Sequence, residues 1–140
     1  MPTAYLDVPE GIEIEEKQKL VRALYEALKE AYPLPPDHRI FVHEWPLNSV
    51  SQDGQLGSET PRPVFQMHVP PELPAQAKRK LIKSINVAVA RAYNNLSLLI
   101  LFQEYPQDRV GLNGNLASDD TKHMEELRRS SEVRSGSKAA

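Results

Sequence analysis

Residues 3–8 alternate, with Ala4, Leu6 and Val8 on one side and Thr3, Tyr5 and Asp7 on the other. A period of two predicts a half-buried β-strand. Pro9-Glu10-Gly11 breaks it. From Ile14 the apolar positions Ile14, Leu20, Val21, Leu24, Leu28 and Ala31 recur at helical spacing, while Glu15, Glu16, Lys19, Lys29 and Glu30 fall on the other side. That pattern predicts an amphipathic helix. Pro33-Leu34-Pro35-Pro36 ends it, because proline supplies no amide donor and crowds the preceding turn. A second strand follows over 39–45, and Asp53-Gly54 sits where a tight hairpin turn is expected.

The same pattern then recurs. With an offset of 61, Pro2 meets Pro63, Val8 meets Val69, Lys17 meets Lys78, Leu20 meets Leu81, and Ala31-Tyr32 meets Ala92-Tyr93. One residue drops out, and at an offset of 60 Ile40 meets Ile100 and Glu44-Trp45-Pro46 meets Glu104-Tyr105-Pro106. Gly54-Gln55-Leu56-Gly57-Ser58 likewise meets Gly114-Asn115-Leu116-Ala117-Ser118. Ordered matches with a single slip identify a tandem duplication. The repeats run from about 2 to 60 and from 63 to 118. The second unit is expected to carry a strand at 64–69, a helix near 74–93, a strand near 98–105 and a hairpin around Gly111 to Gly114.

A strand–helix–strand unit of this length pairs its strands in parallel, with the helix crossing one face. Two units predict an α+β fold, a four-stranded sheet with two helices on one face, forming a single domain over 1–118. The opposite face still carries Phe41, Trp45, Leu99, Leu101 and Tyr105, and covering it calls for a homo-oligomer. The 119–140 tail is expected to hold one helical turn or more around Met124 to Arg129. Beyond that the Ser/Gly-rich end reads as disordered.

Composition narrows the function. Seventeen Lys and Arg against nineteen Asp and Glu leave a net charge of -2, which excludes a nucleic-acid binder working by bulk positive charge. No apolar run approaches the roughly 18 residues a membrane span needs, and no signal peptide is evident. The absence of Cys excludes disulfides, thiolate catalysis and Cys-ligated zinc, and fits a cytoplasmic protein. His38, His43, His68 and His123 lack the spacing of a metal site.

Candidate chemistry begins at Met1-Pro2. Removal of Met1 would leave Pro2 as a secondary amine at a strand start. An α-amino group titrates at about 8, close enough to neutrality for a general base. Pro63 holds the matching place in unit two, but its nitrogen lies in the chain and is not basic. Strand alternation puts Arg39, Phe41, His43 and Trp45 on one face, and Arg is suited to hold a carboxylate or an enolate oxygen.

Pro2, Pro9-Glu10-Gly11, Arg39-Ile40-Phe41-Val42-His43-Glu44 and Gly111-Leu112-Asn113-Gly114-Asn115-Leu116-Ala117-Ser118 together resemble the tautomerase superfamily, typified by 4-oxalocrotonate tautomerase. The resemblance covers about 1–118 and implies a fused, double-length member that assembles as a homotrimer. It implies keto–enol isomerisation of a small 2-keto or enol acid, without cofactor or metal, with Pro2 as the catalytic base. Arg39 matches a substrate-binding Arg of the family, and Arg109 lies in the hairpin that family members bring over the pocket. Trp45 and His43 complete the candidate substrate-binding set. Two family signatures are missing. The Arg that follows the first strand's Gly in dicarboxylate tautomerases is Ile12 here. Val69-Pro70-Pro71-Glu72-Leu73 stands where the dehalogenase and decarboxylase branches carry an Arg pair. Two other readings stay open, a non-catalytic oligomeric module and a Pro-dependent hydratase or decarboxylase.

Overall fold

In a computed structural model, residues 2–57, 62–94 and 97–139 are described, with side chains through 134. Met1 and the junction 58–61 between the repeats lie outside them. Strand β1 (Thr3–Pro9) leads into helix α1 (Ile14–Ala31) and returns as β2 (Arg39–Trp45); a short hairpin of β3 (Ser51–Gln52) and β4 (Gln55–Leu56) follows. The second unit repeats this with β5 (Val64–Val69), α2 (Ala75–Tyr93), β6 (Leu99–Glu104) and a hairpin of β7 (Gly111–Leu112) and β8 (Asn115–Leu116). A third helix, α3 (Thr121–Ala139), has no counterpart in the first unit.

The four long strands form one sheet in the order β2-β1-β5-β6. Within each unit the strands are parallel, and the two units meet through the antiparallel pair β1–β5, with Thr3 opposite His68 and Asp7 opposite Val64. Ala4, Leu6, Val8, Phe65, Met67 and Val69 point to the helix side and are buried against Leu20, Leu24, Leu28, Leu81, Ile85 and Val89. Each fully buried Leu, Ile or Phe contributes about 1.5–3 kcal/mol by leaving water. Ile14 departs from the expected apolar stripe. It opens α1 at 56% exposure, before the helix has reached the sheet.

The duplication extends to single bonds. Arg39 N donates to Pro2 O at 3.3 Å, and Leu99 N donates to Pro63 O at 3.1 Å. Lys17 pairs with Glu44, and Lys78 pairs with Glu104 at 3.1 Å, each tying a helix to the second strand of its unit. Asp53 and Gly54 have φ of 53° and 83°, and Asn113 and Gly114 have 54° and 83°. Two successive positive φ angles define the turn that matches a hairpin's twist.

The face away from α1 and α2 is open. Phe41, Trp45, Leu99 and Leu101 are between 37% and 44% exposed there, and Tyr5 stacks on Phe41 at 5.3 Å between ring centroids. Helix α3 includes the one turn or more expected around Met124 to Arg129 and extends beyond it on both sides. Asp120 starts it. Its carboxylate accepts from the His123 amide at 3.1 Å, and its carbonyl accepts from Met124 N at 3.0 Å. This is the geometry of an N-cap. Arg128 pairs with Glu125 and Glu132 along the exposed side, and Ser130 is buried. Among the described residues no helix is long and apolar enough to cross a membrane, and no group of three or more His, Cys, Asp or Glu could hold a metal ion.

Candidate active site

Parallel pairing inside each unit and antiparallel pairing between them give the sheet two distinct ends. At one end the start of unit one meets the finish of unit two. Pro2 is fully buried there, its neighbour Thr3 lies opposite His68, and Arg39 starts β2 beside Thr3. At the other end Pro63 is fully buried and the finish of unit one carries Asp7, His43 and Trp45.

An open cleft of about 790 Å³ occupies the first end. Thr3, Arg39, His68, Tyr105 and Arg109 line it, joined by Asp120, Lys122, His123 and Glu126 from α3 and its cap. The Arg39 Nε donates to Asp37 Oδ1 at 3.1 Å, which holds the guanidinium at the rim. The guanidinium of Arg109 and the ammonium of Lys122 have no ion pair or hydrogen bond among the described residues. The cleft therefore contains two uncommitted cations.

Behind them runs a polar chain. The Tyr105 hydroxyl donates to Gln103 Oε1 at 2.9 Å, so His68 Nδ1 donates to the Tyr105 oxygen at 2.9 Å, with the two rings stacked at 5.6 Å. Gln107 Nε2 donates to the Tyr105 carbonyl at 3.2 Å, and its Oε1 accepts from His123 Nε2 at 2.7 Å. Burial is the main cause holding His123 below the usual imidazole range, and the charge of the amino terminus adds to it. His38 is also lowered, again chiefly by burial, although its Nε2 bond to the Tyr32 carbonyl at 2.7 Å opposes the shift.

Of the residues expected to form a site, Arg39 and Arg109 line this cleft with Pro2 buried at its back end of the sheet. His43 and Trp45 are on the expected face but at the opposite end, because parallel pairing carries β2 from Thr3 to Pro9. There Asp7 Oδ1 accepts from Trp45 Nε1 at 2.7 Å and lies 3.3 Å from His43 Nδ1. His68, Gln107, Lys122 and His123 line the same cleft and lie outside the expected set. The repeat alignment held a signal for one of them, since His68 matches Asp7 and faces the same way.

No family model and no curated protein matches this sequence. Solved structures do match. A fused 4-oxalocrotonate tautomerase (4-OT), described as a wild-type asymmetric trimer, superposes with a TM-score of 0.74 at 24% identity, over 84% of this chain and 97% of its own. Native fused 4-OT gives 0.75 at 20% identity over the same shares. Malonate semialdehyde decarboxylase gives 0.62 at 14% identity, over 79% of this chain and 90% of its own. The chain thus has the fold of the tautomerase superfamily in its fused, double-length form.

Proposed function

We propose that the protein is a cofactor-independent tautomerase of a small 2-keto or enol acid, with Pro2 as its base and its reaction confined to the Pro2 end of the sheet. The observation that supports this most is the cleft itself. It joins the start of β1 to Arg39 and Arg109, the two arginines expected to hold substrate.

With Met1 removed, the Pro2 amine takes the enol hydroxyl proton, and the O–H electron pair becomes part of the new carbonyl. The resulting ammonium returns that proton to the substrate carbon, so one proton moves and nothing is oxidised. An amine titrating near neutrality suits both halves of the transfer. Arginine donors oriented toward the oxygen stabilise its charge as it develops. The Pro63 nitrogen is an amide and cannot follow this route.

The homotrimer belongs to the same reading. It is supported by the apolar open face and by the description of fused 4-OT as a trimer. Light scattering at micromolar concentration tests it, and a monomeric mass would count against it. Decarboxylase or hydratase chemistry is the second reading, supported by the likeness to malonate semialdehyde decarboxylase. Ketonisation of phenylenolpyruvate and 2-hydroxymuconate, followed by ultraviolet absorbance alongside an intact-mass measurement, tests the first. Loss of Met1 with ketonisation supports it. Decarboxylated or hydrated products without ketonisation would transfer the Pro2 chemistry to the second.

A further inference from the structure

We propose that α3 is a wall of the active cleft, and that Lys122, paired with Arg109, anchors the substrate carboxylate. Three observations carry this. First, the fused 4-OT structures account for 97% of themselves but 84% of this chain. The uncovered share, about a sixth, matches that of the segment after Ser118. Helix α3 makes up most of that segment and has no counterpart in the first unit.

Second, hydrogen bonds tie the helix to the Pro2 end of the sheet. His123 donates to Gln107 at 2.7 Å, beside Arg109 on the same turn, and Leu34 N donates to Ser130 Oγ at 3.1 Å. Arg134 Nη1 donates to the Ala31 carbonyl at 2.5 Å. These contacts hold the helix to both units, so the Asp120 cap and the first turn stay against the cleft.

Third, the charges there are unevenly committed. Arg39 is bound to Asp37, whereas Arg109 and Lys122 have no partner among the described residues. Asp120 is occupied as a cap, and Glu126 on the same wall makes no hydrogen bond or ion pair among the described residues. Arg109 and Lys122 thus supply two uncommitted cations to one cleft, against the single uncommitted carboxylate of Glu126. His123 is the positioning residue. It donates to Gln107 and locks the helix to the turn bearing Arg109.

This inference rests on the tautomerase reading for its substrate but not for its binding site, and the experiment separates the two. Fumarate, an unreactive dicarboxylate, is titrated calorimetrically into the full chain and into Lys122→Gln and Lys122→Arg. A lost charge-assisted contact weakens binding by about 10-fold or more. We expect that loss in Lys122→Gln and its recovery in Lys122→Arg. In parallel, KM for phenylenolpyruvate should rise about 10-fold in Lys122→Gln with little change in kcat. The ethyl ester of the same enol, which lacks the carboxylate, should be unaffected. Equal fumarate binding by the parent and Lys122→Gln, or no binding by the parent, would overturn the anchor. Lys122-dependent binding in a parent that turns over no enol would leave the anchor standing and remove the tautomerase reading instead.

Discussion

The two ends of the sheet repeat one backbone arrangement and differ in at least four matched positions, in helix α3 and in one bond. Pro2 and Pro63 are both fully buried, and each carbonyl accepts an amide bond from the first residue of the neighbouring strand. Beside Pro2 that residue is Arg39, and beside Pro63 it is Leu99. Asp7, with Trp45 and His43, occupies one end where His68, with Tyr105 and Gln103, occupies the other. The bond is the peptide link before Pro63, which stays in place whether or not Met1 is removed from Pro2. The backbone geometry is repeated, while Arg39, Arg109 and Lys122 stand at the Pro2 end alone.

The sharpest way to break the contrast is at the prolines. Pro2→Ala should lower ketonisation about 100-fold or more, the scale for loss of a positioned general base. Retention of Met1 should do the same by acylating the nitrogen. Pro63→Ala should leave kcat unchanged and lower the melting temperature. Equal effects of the two substitutions on kcat would end the assignment of chemistry to one end.

The paired residues of β2 and β6 come next. On the proposed mechanism Arg39→Ala should cost about 2–4 kcal/mol of transition-state stabilisation, read as kcat/KM, through loss of a charged donor at the cleft rim. Leu99→Ala should reduce thermal stability or assembly and leave kcat/KM near the parent value. Labelling with an amine-directed covalent inhibitor and counting sites by mass should give one adduct per chain, in the first half.

Helix α3 exists only at the Pro2 end, and its cap allows a milder test. Asp120→Ala removes the acceptor for the His123 amide and should cost about 1 kcal/mol in urea unfolding. An Asp120→Asn chain should recover most of that loss.

Proton linkage gives the smallest expected effect. His38 and His123 both have imidazole values lowered by burial, so the folded chain binds their protons less readily than the unfolded chain does. Stability then rises with pH wherever the unfolded state holds more protons. Their contribution is complete above about 6.5, the ordinary imidazole value, and is lost as pH falls below it. Melting temperature should drop between pH 7.5 and 5.5, and His123→Gln or His38→Gln should flatten that drop.

The long strands were legible because alternation is a strong signal and the duplication stated it twice. The observed β1, β2 and β5 begin at the expected residues, and α2 begins one residue after its expected start. Ile14 misled because apolar spacing does not show where a helix first touches the sheet. Helix α3 was only partly legible for a different reason. It is held by Asp120, His123, Ser130 and Arg134, which make polar contacts, so no apolar stripe marks its length. Within the candidate site, face was readable and end was not. Arg39, His43 and Trp45 share a face by alternation, yet only the pairing of β2 with β1 puts Arg39 near Pro2 and Trp45 near Pro9.

The antiparallel join between β1 and β5 also decides where new chain can go. It brings the last turns of unit two beside the first residues of unit one, so residues appended after Ser118 emerge next to the Pro2 cleft. Residues inserted between the units would emerge by Pro63. Growth directly after Ser118 can thus remodel the cleft without rearranging the sheet, whereas growth in the middle reaches only the Pro63 end. For an engineer this is a routing rule: a recognition segment placed directly after Ser118 arrives at the cleft, as the first turn of α3 does, and one spliced at the repeat junction arrives at the opposite edge.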